Sequence, residues 1–172
     1  GSSRDRSGPG MIRDHRFIYV SVNYRLGVLG YLYLGKALGE RYRHTGNNGT
    51  LDQLAALGWI RENIEAFGGD ASRITVFGES AGAKSLGALL LRPEMKTLCS
   101  QVSGAYQCIR DENTAAAVAD IFFELAGMEK PEDVLDLDVD NLLKIQERLV
   151  DNPGNTCMFG PVADGIVIPY DW

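Results

Sequence analysis

The chain has 172 residues, of which 45% are hydrophobic and 23% are charged, a balance that is ordinary for one globular domain with its own core. The net charge of −6 at pH 7 argues against a nucleic acid or an anionic membrane surface as a partner. No apolar run approaches the ~20 residues of a membrane span, and residues 1–10 carry no visible signal peptide, so the sequence leaves a cytoplasmic and a secreted localisation equally open.

The first predicted strand follows a polar stretch, residues 1–16, which we expect to be a flexible lead-in. Residues 17–22 are rich in β-branched and aromatic side chains, and this run predicts a strand buried on both faces of a parallel sheet. After a loop rich in Gly and Tyr, apolar residues at helical spacing predict a helix. It would begin at Asn47 or Asn48 as its N-cap and end at the glycines at 68–69.

A second strand is predicted over residues 74–77, so strand, helix and strand follow one another in the order of a βαβ unit. Such a unit implies parallel strands joined by a right-handed crossover. The second strand runs directly into Gly-Glu-Ser-Ala-Gly at residues 78–82, and an Ala- and Leu-rich helix is predicted over residues 81–91.

A Gly-x-Ser-x-Gly motif between a strand and a helix is typical of a nucleophile elbow. The turn is tight, the serine backbone is strained, and a side chain at Gly78 or Gly82 is expected to collide with the neighbouring helix or strand. The turn would hold Ser80 at the carboxyl end of a central strand and direct the N–H of Ala81 to the place where an oxyanion forms. The alternative interpretation is a structural turn without chemistry.

Helices dominate the next region, about residues 113–157, which we expect to be a cap or an excursion outside the sheet. Asn113 or Thr114 would cap its first helix, and two short acidic helices would follow over residues 131–137 and 140–150.

Both histidines of the chain, His15 and His44, precede Ser80. Enzymes with a nucleophile elbow carry the triad acid and the histidine after the serine. The chain therefore looks like part of an enzyme, with a nucleophile but without its general base, and we expect the two histidines to be surface residues. Asp164, in a turn after a short strand predicted at 158–162, is a weak candidate for the acid.

Three cysteines, Cys99, Cys108 and Cys157, do not have the spacing of metal ligands, and the sequence implies neither a metal nor an organic cofactor. Reduced thiols in or near the core are one interpretation. A Cys99–Cys108 disulfide across a short loop, in a secreted protein, is the other.

Four blocks stand in order along the chain: NYRLGVLGYL at 23–32, GNNGTLDQLAALGWI at 46–60, NIEAFGGD at 63–70 and ITVFGESAG at 74–82. In these blocks, and more weakly at 103–104 and 159–165, the sequence resembles the type-B carboxylesterases, the carboxylesterase/cholinesterase family of α/β-hydrolases. The matches span nearly the whole chain. The resemblance implies one incomplete domain over residues 1–172, with a partial α/β-hydrolase fold. That fold is a mostly parallel sheet with flanking helices and a nucleophile elbow.

The resemblance implies that Ser80 attacks an ester carbonyl and forms an acyl-enzyme, with the Ala81 N–H as one oxyanion donor. It places Glu79 close to the site, where its charge would steady a protonated base; the alternative is a buried carboxylate bonded into the turn. A structural polar network is implied below the elbow, and Trp59 is expected in the core. The network residues would be Asn23, Arg25, Asp52 and Gln53.

The chain also departs from the family pattern. Residues 1–16 do not supply the Gly-rich oxyanion loop that the family carries upstream of the 17–22 strand. Residues 98–104 look about three residues shorter than in the family, so the strand before Ser103 is expected to be truncated or displaced. In the family the triad acid lies beyond this chain, which disfavours Asp164 in that role.

The function expected from the resemblance is a segment of a serine carboxylesterase. It would act on a small-molecule carboxylic ester through Ser80, and it would be inactive alone because the acid, the histidine and the oxyanion loop are missing. Uncovered sheet edges would favour self-association. The alternative is a non-catalytic esterase-like domain for adhesion or partner binding, although relatives of that kind usually lose the nucleophile. A thioesterase on the same fold is a third possibility.

Overall fold

The computed structural model describes residues 17–151 and 158–172, so the expectations for residues 1–16, including His15, and for Cys157 lie outside the described residues. The α-helices are α1 Gly27–Tyr31, α2 Gly35–Leu38, α3 Asn48–Asn63, α4 Ala81–Leu89, α5 Met95–Leu98, α6 Glu112–Ala126 and α7 Val139–Val150. The 3-10 helices are Glu40–Asn47, Ile64–Phe67 and Pro131–Asp136, and the strands are β1 Thr75–Phe77, β2 Gln101–Ser103, β3 Arg110–Asp111 and β4 Val162–Ala163.

The strands form two parallel pairs. β1 pairs with β2, with Val76 opposite Val102, and β3 pairs with β4, with Arg110 opposite Val162. Helices α4 and α5 lie between β1 and β2 in the chain, so these strands are a parallel pair with a helical connection. The predicted α/β class with parallel strands is confirmed, and the strand expected to be truncated before Ser103 is present with three residues.

Residues 17–22 do not form the predicted strand. The structure assigns them no strand, and Phe17, Ile18 and Val20 are more than 40% exposed. A strand requires backbone hydrogen bonds to a neighbour, and a β-rich composition alone does not supply them. The segment nevertheless runs beside β1, because the rings of Tyr19 and Phe77 lie 6.0 Å apart. Residues 17–77 therefore do not form the expected βαβ unit. The parallel pair with a helical connection is formed further along the chain, by β1, α4 and β2.

The largest apolar cluster among the described residues is built by helices. It joins α1 and the chain after it to α6, α7 and the 3-10 turn between them. Its buried members are Val28, Leu32, Leu34, Ala119, Phe122, Phe123, Val134 and Ile145. Phe122 is fully buried and meets Phe123 edge to face, with ring centroids 6.3 Å apart. The helical region predicted after residue 113 thus contributes five of the eight buried residues of this cluster.

Helix α6 begins two or three residues earlier than its sequence suggested. Asp111 caps it, because its Oδ1 accepts the backbone N–H groups of Asn113 and Thr114 at 2.9 Å. The prediction of Asn113 or Thr114 as the cap is therefore wrong by two or three positions. The helix ends at Gly127, which adopts a left-handed conformation with φ of 67°.

Two expectations for helix α3 fail, the capping hydrogen bond of Asn47 and the burial of Trp59. Asn47 occupies the N-cap position, but its side chain makes no capping hydrogen bond. Trp59 is 54% exposed and packs against Phe67, so the expectation that it lies in the core is wrong. None of the helices in the described ranges is long and apolar enough to cross a membrane.

Replacing Phe122 by Ala should lower the free energy of unfolding by about 3–5 kcal/mol, because a fully buried ring leaves a cavity that the helices cannot close. Phe67→Ala is the matched control, since that ring is 64% exposed. Urea denaturation of the two variants and the parent chain measures the difference. Equal losses for the two substitutions would contradict a core between α1, α6 and α7.

Candidate active site

Ser80 lies between the end of β1 and the start of α4, in a backbone conformation that non-glycine residues rarely adopt. Its φ is 53° and its ψ is −113°, and it is the one non-glycine residue with positive φ in the part of the chain that the structure describes. Such a conformation costs of the order of 1–3 kcal/mol and persists where the surroundings impose it. The strain expected from the motif is therefore present, and the Ser80 side chain is exposed.

The close approach of three backbone segments imposes this turn. A Cβ on Gly78 would lie 2.4 Å from the carbonyl carbon of Gly82, and a Cβ on Gly104 would lie 2.5 Å from the Gly78 oxygen. Gly104 also has a φ of 84°, and the Gly78 N–H donates to the Ser103 oxygen at 3.2 Å. A Cβ on Gly82 meets nothing within 4 Å among the described residues. The predicted collision is correct for Gly78 and wrong for Gly82.

The three predicted site residues are consecutive, and the turn brings them together at the start of α4. The Glu79 carbonyl accepts the Gly82 N–H at 2.9 Å, and the Ser80 carbonyl accepts the Lys84 N–H at 3.1 Å. The N–H of Ala81 is in the first helical turn, where backbone donors lack helical acceptors and the helix dipole favours negative charge. Glu79 is exposed, so the alternative of a buried carboxylate in the turn is wrong.

Two side chains that the sequence did not single out hold the first turn of α4 in place. The Ser85 hydroxyl lies 3.0 Å from the Ala81 carbonyl, which accepts its hydrogen bond, and 3.4 Å from the Tyr24 hydroxyl. Tyr31 packs nearby, and burial, with the neighbouring Tyr24, raises the pKa of Tyr31 to about 12. The Tyr31 phenol is therefore neutral at physiological pH and acts as a packing and hydrogen-bonding group.

The expected polar network is present in part. Arg25 and Asp52 form a two-point ion pair, with Nη2–Oδ1 at 2.7 Å and Nε–Oδ2 at 2.8 Å, and the Arg25 N–H also donates to Asp52. The Arg25 side-chain hydrogen bond holds the pKa of the Asp52 carboxyl below its usual range, against the effect of burial. Gln53 is buried, and its Oε1 has no hydrogen-bond partner among the described residues.

Asp164 is fully buried, and its carboxylate stabilises the turn that follows it in the chain. One carboxylate oxygen accepts the backbone N–H groups of residues 166, 167 and 168 at 2.8–3.0 Å, and the other accepts the Asn47 amide at 2.9 Å. Asn47 also bonds both the N–H and the carbonyl of Val162. This carboxylate is fully engaged in structural hydrogen bonds. His44 is exposed on the 3-10 helix Glu40–Asn47.

The described residues contain no group of three His, Cys, Asp or Glu side chains that could hold a metal ion. Cys99 and Cys108 are free thiols, so the Cys99–Cys108 disulfide is absent from this structure.

The chain matches the model of the carboxylesterase family over residues 1–171. It is 40% identical to the para-nitrobenzyl esterase of Bacillus subtilis over 154 residues, which are 87% of this chain and 31% of that enzyme. It is 47% identical to esterase E4 of Myzus persicae over 105 residues, 59% of this chain and 18% of that protein. The chain thus spans about a third or less of the curated relatives it matches.

Solved carboxylesterase structures also resemble this chain. The Geobacillus stearothermophilus carboxylesterase EST55 superposes with a TM-score of 0.75 at 44% identity, covering 84% of this chain and 31% of that one. Its likeness, and that of a solved para-nitrobenzyl esterase at a TM-score of 0.74 and 37% identity, identifies the described architecture as part of an α/β-hydrolase fold.

Gly78→Ala should destabilise the chain by about 1–3 kcal/mol or more, because its Cβ has to displace the backbone of the next turn. Gly82→Ala is the matched control, since it meets open space on a helix and should change stability by less than about 1 kcal/mol, in the stabilising direction. Urea denaturation of both variants measures this contrast. A Gly78→Ala chain as stable as the parent would show that the turn does not need the close approach.

Proposed function

The chain belongs to the carboxylesterase family, and on that premise we propose that it supplies the nucleophile of a serine carboxylic-ester hydrolase, with Ser80 as the attacking residue. The observation that carries the proposal is the strained backbone of Ser80 at the head of α4. A polar, exposed side chain in a costly conformation is expected where the conformation serves a function. The substrate class is a small-molecule carboxylic ester.

The proposed reaction has two acyl-transfer steps. The Ser80 oxygen attacks the ester carbonyl, its proton passes to a general base, and the tetrahedral intermediate collapses to an acyl-enzyme as the alcohol leaves with a proton. Water then attacks the acyl-enzyme, releases the carboxylic acid and returns the proton to the Ser80 oxygen. In each step the carbonyl oxygen becomes an oxyanion, and the Ala81 N–H at the start of α4 is the proposed donor to it.

Glu79 is proposed to act through charge. It lies next to the nucleophile on an exposed part of the turn, and a negative charge there favours the protonated form of a neighbouring base.

The sequence has no histidine after Ser80 that could act as the general base. His15 and His44 both precede the serine, and the Gly-rich oxyanion loop is not found in residues 1–16. Loss of the base–nucleophile unit costs several orders of magnitude in rate, and loss of an oxyanion donor costs more. We therefore propose that the isolated 172-residue chain hydrolyses esters at most feebly.

A non-catalytic binding or adhesion domain is the alternative function. A binding surface has no need for a serine in a strained turn, so the retained geometry at Ser80 favours the esterase.

The test is labelling with a fluorophosphonate, which phosphonylates activated serines, followed by intact mass and peptide mapping. We expect slow labelling of Ser80 in the folded parent chain and no labelling at that peptide in Ser80→Ala. Ser72 is an internal control, because it is exposed and its hydroxyl donates to Asp70 at 2.6 Å. Preferential reaction at Ser80 over Ser72 would reflect the oxyanion donor at the turn.

Two results would contradict parts of this proposal. Labelling spread equally over exposed serines would remove the nucleophile role of Ser80. Ester turnover comparable with that of an intact esterase, abolished by Ser80→Ala, would mean that a base is present and that the proposed inactivity is wrong.

We also propose that the isolated chain self-associates at the sheet edge where residues 17–20 run beside β1 without forming a strand. Phe17, Ile18, Val20 and Phe77 are each 42–53% exposed there, and β1 pairs on one side among the described residues. Light scattering should show a mass that rises with concentration. Val20→Lys should reduce the effect, whereas Val139→Lys, at a 53% exposed position on α7, should not. A constant monomer mass in the parent chain would refute the proposal.

A further inference from the structure

A small cavity lies directly beside the first turn of α4. Its volume is about 130 Å³, and its lining includes Ala81 and Ser85 of α4, Tyr24 and the segment at 159–161. Ala81 follows Ser80 in the chain, so a substrate group bound here lies beside the turn that carries the nucleophile. A cavity of about 150 Å³ holds a benzene-sized molecule, so this one accepts a short chain of a few non-hydrogen atoms.

The charged groups that line this cavity are both cationic. They are Lys84 on α4 and Arg110 at the start of β3, and no carboxylate is among the described lining residues. The whole chain carries a net charge of −6, so a cation-lined cavity is contrary to its general balance. Both side chains favour an anionic occupant.

Among the described residues, the hydrogen-bond acceptors of Arg110 are all neutral carbonyls. Its guanidinium donates to the Gly160 carbonyl at 2.8 and 3.3 Å, to the Tyr31 carbonyl at 3.1 Å and to the Met158 carbonyl. Asp111 is the acid beside it in sequence, and its carboxylate is occupied by the cap of α6, including the Thr114 hydroxyl at 2.6 Å. These four hydrogen bonds fix the position of the guanidinium, and no carboxylate in ranges 17–151 and 158–172 forms an ion pair with it.

Burial lowers the pKa of Arg110 to about 10, against the smaller opposing effects of Cys108 and Asp111. The group therefore remains protonated at neutral pH. A partly desolvated cation without a paired anion is a costly arrangement, and an incoming carboxylate relieves that cost.

We propose that this cavity binds a carboxylate carried by the substrate, so that the preferred esters are half-esters of short dicarboxylic acids. This inference rests on the proposed esterase function for the position of the ester, but the binding of the carboxylate is a property of the cavity. Neutral esters of the same size lack the charge that Lys84 and Arg110 attract.

Cys108 lines the same cavity and supplies a reporter that does not require catalysis. Iodoacetate is an anion and iodoacetamide is neutral, and both alkylate the thiolate, so the thiol pKa cancels when their rates at one cysteine are compared. Cys99 is the matched control, because it is a half-buried free thiol that does not line the cavity. We expect the iodoacetate/iodoacetamide rate ratio to be at least about fivefold higher at Cys108 than at Cys99.

Substitutions of Arg110 and Lys84 test whether these cations cause the preference of Cys108 for iodoacetate. Arg110→Gln and Lys84→Gln should each lower the Cys108 ratio, while Lys144→Gln, a loss of the same charge on an exposed part of α7, should leave it unchanged. If circular dichroism shows that Arg110→Gln does not fold, the Cys108 ratio in Lys84→Gln is the test of the proposal. Monomethyl succinate should also protect Cys108 from iodoacetamide, and dimethyl succinate should not.

Equal ratios at Cys108 and Cys99, a ratio unaffected by Lys84→Gln, or equal protection by the two succinate esters would each overturn the proposal. These outcomes are separate from the esterase test. An unreactive Ser80 with an anion-selective Cys108 would refute the nucleophile alone, and a reactive Ser80 with an unselective Cys108 would refute the carboxylate cavity alone.

Discussion

The close backbone approach around Gly78 is the constraint on which the site depends. The end of β1, the first turn of α4 and the turn after β2 meet there at distances that leave no room for a Cβ on Gly78 or Gly104. The strain at Ser80 is offset by burial on the far side of the same elements. Leu86 and Leu89 of α4 pack with Leu57 and Met95, and the strand pair lies against that cluster. The serine is therefore held out to solvent by a helix whose opposite face is in the core.

Polar contacts position the rest of the architecture relative to this elbow. Arg25 and Asp52 join the segment before α1 to α3, and Arg110 joins β3 to the chain before β4 through carbonyl oxygens. Asn47 joins the start of α3 to Val162. Each of these side chains satisfies backbone or carboxylate groups that would otherwise be left unpaired near the core. Helices supply most of the apolar burial, and these contacts fix which segments lie side by side.

Local patterns in the sequence were enough for the elbow and for the parallel class of the strands. The α-helical part of α3 ends at Asn63, before the glycines at 68–69 that were expected to end it. Local patterns were not enough where a distant segment decides the outcome. Residues 17–22 have the composition of a strand but form no ladder, and Trp59 is exposed although its pattern suggested the core. Asn47 makes a long-range contact instead of a capping bond, and its partners Val162 and Asp164 are not identified by periodicity. The cap of α6 was missed for another reason, because Asp111 bonds residues only two and three positions later and the signal was local. The roles of Ser85 and Arg110 have no motif that would reveal them.

The amide of Asn47 has a consequence for how the chain is made. It bonds Val162 across 115 positions of sequence, so its partners leave the ribosome long after it does. At synthesis rates of about 5–20 residues per second, the delay is roughly 6–23 s. During that interval the N-terminal end of α3 exists without the groups that later bury it, whereas β1, α4 and β2 are synthesised within about 30 residues of one another. The three segments that form the elbow are therefore all synthesised before β4, the strand to which Asn47 bonds.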